Sequence, residues 1–73
     1  MRRYYIITDL VHHQDYLAWF YDHSDILGAA KAFAEKQGVD INDLRMYACS
    51  TKKEWDAYGT AHFSRVKAWQ CTK

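Results

Sequence analysis

Two apolar runs close to the N-terminus constrain this chain more than any other feature. Residues 2–11, RRYYIITDLV, and the run from Tyr16 to Asp22, YLAWFYD, are built of Tyr, Ile, Leu, Val, Trp and Phe, with neither Gly nor Pro. β-branched and aromatic residues without breakers favour the extended, pleated state. The polar His12-His13-Gln14-Asp15 separates the two runs, so together they predict an antiparallel hairpin. Side chains alternate along a strand. Tyr4, Ile6, Thr8 and Leu10 therefore share one face, and Tyr5, Ile7, Asp9 and Val11 the other. Both faces are apolar near the start, which predicts a central strand.

A helix follows. Ser24 suits the N-cap, and Asp25 places negative charge in the first turn, where the helix dipole favours it. Ile26, Leu27, Ala30, Phe33 and Ala34 recur at helical spacing, and Gly38 suits the left-handed residue that ends a helix. Asp40 to Asp43 is a polar connection. Leu44 to Ser50 reads as a third strand, with Leu44, Met46 and Ala48 on one face and Arg45, Tyr47 and Cys49 on the other. Thr51-Lys52-Lys53-Glu54 has the form of a capping box and predicts a short helix ending before Gly59. The alternative is a wide hairpin loop with Trp55 and Tyr58 in a further strand. Over residues 60–71, Phe63, Val66 and Trp69 repeat every three residues, as on a helix. The strand-like content and the gain from a fourth strand favour a strand instead. The expected fold class is α+β, in the order β-β-α-β-(short α)-β, as one domain over residues 1–73. It has a small antiparallel sheet, with one main helix packed on one face.

Seventy-three residues bury only about 60% of the unfolded surface. With two cysteines the chain is no disulfide scaffold, so large aromatic residues must carry the core. Three Trp, six Tyr and three Phe exceed what one small core holds, and the surplus is expected on the uncovered sheet face. No stretch is long and apolar enough to span a bilayer, and the opening apolar run is too short for a signal peptide. A soluble protein of the cytoplasm is expected.

The net charge of +1 conceals a division. Residues 4–43 carry −5 and residues 44–73 carry +4, with Arg2 and Arg3 in front of both. Such a chain can present an acidic and a basic side, or mix the charges through the sheet.

Candidate chemistry is sparse. His12, His13, Asp15, Asp22, His23 and Asp25 include metal-ligand types, but the second strand separates the two ends of the group by about 20 Å. No metal site or cofactor is expected. Cys49 reads as a small apolar residue, and no CxxC, GxSxG or HExxH motif accompanies it, so no catalytic group is assigned. For single-stranded nucleic acid the residue types are Arg45, Lys52, Lys53, Arg65 and Lys67, interleaved with Tyr47, Trp55, Phe63 and Trp69. Alternation would set Phe63, Arg65, Lys67 and Trp69 in one row on a strand face. The plainer alternative is a solvated face. For a protein partner, Tyr5, Trp19, Tyr21, Tyr47 and Trp69 form one aromatic patch if they share the open face. Otherwise they fill the core or a homodimer seam.

Tyr4-Tyr5-Ile6-Ile7-Thr8-Asp9-Leu10, the second strand, Ser24 opening an alanine-rich helix, and Leu44-Arg45-Met46-Tyr47 follow one another in an order that resembles small phage-encoded or prophage-encoded accessory proteins. Some small anti-CRISPR proteins are among them. The resemblance implies a non-enzymatic protein that docks on and inhibits or modulates a host macromolecular complex, in the cytoplasm of a bacterial host; the aromatic sheet leaves monomer or homodimer open. It carries no diagnostic motif and assigns no residue. The balanced charge departs from relatives that mimic nucleic acid with acidic surfaces.

Overall fold

The computed structural model describes residues 2–21 and 25–70. Strands β1 (Arg3–Asp9) and β2 (Gln14–Phe20) form the expected antiparallel hairpin. Asp9 closes it. Its Oδ1 accepts from the backbone N–H groups of Val11 and His12, at 2.9 and 3.1 Å, and its Oδ2 lies 2.7 Å from His12 Nδ1. These bonds end β1 two residues earlier than the apolar pattern predicts. They also satisfy a carboxylate that is only 3% exposed. Burial by itself raises the Asp9 carboxyl, but the hydrogen bonds from His12 and Val11 outweigh it and hold the group below the usual aspartate value.

Helix α1 (Ile26–Gln37) is capped by Asp25, whose carboxylate accepts from the Gly28 N–H at 2.7 Å. The cap is thus Asp25 and not the expected Ser24, which lies outside the described residues, and Asp25 precedes the first turn instead of standing in it. Gly38, at φ 70°, ends the helix as predicted, and Val39 N–H donates back to the Ala34 carbonyl. A single 3₁₀ turn, Ile41–Asp43, leads into β3 (Leu44–Ala48), which pairs antiparallel with β1.

Helix α2 (Lys52–Ala61) starts at the predicted capping box, with Thr51 Oγ1 accepting from Glu54 N–H at 3.1 Å. It runs through Gly59 rather than stopping there. Gly59 allows a close approach: a Cβ at this position would lie 2.7 Å from Leu17 Cδ1, the end of a flexible side chain that would have to shift. The final strand, β4 (Val66–Gln70), pairs with β2 and runs parallel to it.

The fold is therefore α+β, with a four-stranded mixed sheet in the order β3-β1-β2-β4. Two expectations are corrected: the sheet is not wholly antiparallel, and its second face is not uncovered. Both follow from connectivity. The crossover β2-α1-β3 moves across the sheet in one direction, and β3-α2-β4 moves back in the other. Parallel crossovers keep one hand. Reversing direction at constant hand places the second helix on the opposite face.

The main core lies under α1. Tyr5, Ile7, Ala18, Phe20, Leu44 and Trp69 from the sheet meet Ala29, Phe33 and Ala34 from the helix. Trp69 joins two edge-on or tilted aromatic contacts, with ring centroids 5.3 Å from Phe20 and 5.1 Å from Phe33. Tyr5 and Trp69, expected in an exposed patch, are 2% and 7% exposed. The register places Ala18 between them, so all three project toward α1.

Candidate functional site

Helix α2 lies on the other face, and its contacts repeat at helical spacing. Trp55 packs on Tyr4 with centroids 5.1 Å apart and donates Nε1–H to the Tyr5 carbonyl at 3.0 Å. One turn on, the Tyr58 hydroxyl donates to Asp15 Oδ2 at 3.0 Å, while Asp15 Oδ1 accepts from Thr8 Oγ1 at 2.8 Å. Gly59 rests on Leu17. No side chain of α2 is fully buried. The helix sits on the sheet like a bar and leaves a cleft along each flank.

The first cleft separates α2 from β3 and encloses about 580 Å³. Ile6 and Thr8 of β1 form its floor, Arg45, Met46 and Tyr47 one wall, and Glu54, Tyr58, Ala61 and His62 the other. Its size falls in the range of small-ligand and peptide-side-chain sites. Glu54 ties the two walls together: Oε2 accepts from the Tyr47 hydroxyl and Oε1 from the Ser50 N–H, both at 2.7 Å. The bond from Tyr47 and then the one from Ser50 hold the Glu54 carboxyl below its usual value, and Glu54 in turn raises the Tyr47 hydroxyl. Arg45 is exposed and has no hydrogen-bond or ion-pair partner among the described residues. It is the one full positive charge on the cleft wall.

The second cleft, of about 530 Å³, lies between α2 and β4 over Leu17, Val66 and Ala68. Phe63 stands at its rim, 80% exposed. Covering an aromatic side chain of this size contributes about 1.5–3 kcal/mol.

The five aromatic residues expected to form one patch do not do so. Tyr5 and Trp69 are core. Trp19 and Tyr21 pair with each other at the far end of β2, centroids 4.8 Å apart. The Arg2 guanidinium lies 4.7 Å from the Trp19 ring centre, and its Nη2 donates to the Tyr21 hydroxyl at 3.2 Å. Tyr47 stands alone at the β3 edge, 52% exposed.

The basic row is likewise not formed. Phe63 and Arg65 lie in the turn before β4, where the strand pattern does not reach, and Lys67 projects toward the α1 face. Lys52 is paired with Asp56 at 2.7 Å. Lys53 is exposed on the first turn of α2, away from Lys67.

The remaining reactive types are occupied structurally or out of reach. Cys49 follows β3, and burial, helped by Glu54, pushes its thiol up to about 11, leaving little thiolate at neutral pH. Cys71, Asp22 and His23 lie outside the described residues. Among the described residues no three of His, Cys, Asp and Glu come together as metal ligands, and no helix is long and apolar enough to cross a membrane.

The cleft residues not singled out as site candidates from sequence are Ile6, Thr8, Met46, Glu54, Tyr58, Ala61 and His62. Glu54, Tyr58, Ala61 and His62 follow one another at intervals of four, three and one. The spacing of Glu54, Tyr58 and Ala61 marks one side of a helix that runs through Gly59, with His62 as its C-cap.

No protein-family model, curated protein sequence or solved structure matches the chain.

Proposed function

We propose that this is a small non-enzymatic docking protein that engages a macromolecular partner through the sheet face carrying α2. The observation that carries this reading is the incomplete cover of that face. Helix α2 buries no side chain fully, and the two clefts beside it are bordered by exposed Tyr47 and Phe63. Aromatic residues and Arg around an apolar floor are the composition of interface centres. Two carboxylates are committed to structure, Asp9 to the hairpin turn and Glu54 to the α2 cap. The resemblance in element order to small phage accessory proteins makes a bacterial defence or nucleic-acid-processing complex the proposed class of partner. Docking on such a complex inhibits or modulates it by occupying a surface.

A position-specific photo-crosslink tests the reading. A benzophenone side chain replaces Ala61 in the cleft, or Lys31 on the exposed side of α1, and each protein is irradiated in bacterial lysate. A discrete protein adduct from position 61 and none from position 31 is expected. Adducts from position 31 alone, from neither, or only to salt-displaceable oligonucleotide would overturn it.

A further inference from the structure

The β3 wall of the first cleft is also an edge of the sheet, and the register shows which backbone groups that edge offers. Cys49 N–H donates to the Tyr4 carbonyl and Leu10 N–H to the Asp43 carbonyl, both at 2.9 Å. In an antiparallel ladder, hydrogen-bonded pairs recur at every second residue. Arg45 and Tyr47 therefore turn their backbone groups inward to Thr8 and Ile6 of β1. Met46 and Ala48 turn theirs outward. Strand β3 has no neighbour but β1, and neither outward amide has a partner among the described residues. Open edges of this kind are templates for strand addition.

The side chains beside this edge are polarised. Arg45 and Tyr47 project on the cleft side. Glu54 keeps its negative charge across the cleft, but both its oxygens already accept hydrogen bonds, so Arg45 is the charged side chain there whose donors have no partner among the described residues.

We infer that the edge of β3 and the cleft beside it take an extended, acidic peptide segment of a protein partner. The segment adds as a strand bonded to Met46 and Ala48, with a carboxylate side chain meeting Arg45. Main-chain bonds supply affinity in this mode, and alternate side chains in the adjacent cleft supply specificity. A strand matching the five residues of β3 spans about 17 Å. Arginine binds carboxylates through two parallel N–H bonds, which selects acid over other polar groups.

A second copy of this chain fits the same edge less well. Antiparallel registers that pair three or more β3 residues with their copies set Arg45 opposite another Arg45, Tyr47 or Cys49. None of these offers a carboxylate.

This inference rests on the docking reading and deepens it. The probe is a phage-displayed library of random linear dodecapeptides panned on the full chain, followed by synthesis of the enriched sequences. Enriched peptides are expected to contain Asp or Glu flanked by β-branched or aromatic residues. Arg45→Glu is expected to weaken them at least tenfold. Ala48→Pro, which removes one outward donor, is expected to do the same. In the unaltered chain, peptide binding is expected to slow amide exchange at Met46 and Ala48 at least tenfold, which needs no variant to fold. No enrichment, unchanged affinity in Arg45→Glu, unchanged exchange at both amides, or a β3-edged dimer of the chain itself would overturn the inference. Peptides that crosslink from position 61 without protecting Met46 and Ala48 overturn strand addition alone. Peptides that crosslink from position 31 instead overturn the docking reading as well.

Discussion

The Tyr47 hydroxyl donates a 2.7 Å hydrogen bond to the Glu54 carboxylate, and this bond joins an edge strand to the helix beside it. The same carboxylate accepts from Ser50 N–H, so one side chain both caps α2 and sets the width of the cleft. Glu54→Ala removes both bonds and is expected to lower the urea midpoint. Tyr47→Phe removes one exposed bond and should cost less. Urea midpoints of the two variants and the parent give the comparison; a larger loss in Tyr47→Phe would contradict the ordering.

Core and surface tryptophans should separate clearly. Trp69 is 7% exposed and packs on Phe20 and Phe33, so Trp69→Ala is expected to cost about 3–5 kcal/mol. Trp19 is half-buried beside Arg2 and Tyr21, and its truncation should cost well under half as much. Denaturant unfolding distinguishes them. Equal losses would place Trp19 in the core.

Acid should act through two carboxylates. Asp9 and Glu54 are both held below their usual values in the folded chain. A depressed carboxyl contributes stability above its unfolded pKa and loses it as pH falls through the folded value. Stability should therefore stay level through neutral pH and fall below the usual carboxylate range. Asp9→Asn should be less stable at pH 7 and lose less on acidification. Chemical denaturation between pH 7 and pH 2.5 measures both; an unchanged acid slope in Asp9→Asn would contradict the assignment.

Gly59 tests how closely α2 approaches the sheet. Alanine in a helix interior gains about 1 kcal/mol over glycine, but its Cβ meets a flexible Leu17 methyl at 2.7 Å. The two effects oppose, and Gly59→Ala should lie within about 1 kcal/mol of the parent. Gly59→Leu should be clearly destabilising, and Leu17→Ala should relieve part of that loss in a double-mutant cycle. Additive effects would mean that the two residues do not touch.

Much of the fold was legible because it is encoded locally. The hairpin follows from two alternating runs, α2 begins at Thr51 and Glu54 as the capping box requires, and Gly38 stops α1. What escaped was non-local. The direction of β4 depends on the crossover through α2, and the fate of Trp69 depends on that direction. Gly59 looked like a helix stop because its reason, the Leu17 side chain, lies 42 residues earlier. Arg45 and Tyr47 of the cleft were singled out from sequence. Ile6 was not, because an apolar residue in a central strand predicts core. Here β1 is covered by α1 on one side and borders the cleft on the other.

The account stands most directly on the open edge of β3, and amide hydrogen exchange of the free chain reads it residue by residue. Met46 and Ala48 should exchange much faster than Arg45 and Tyr47, alternating along one strand, because only the latter pair donates to β1. Equal protection of all four amides would show that the edge is already occupied and would contradict the docking surface described for this face.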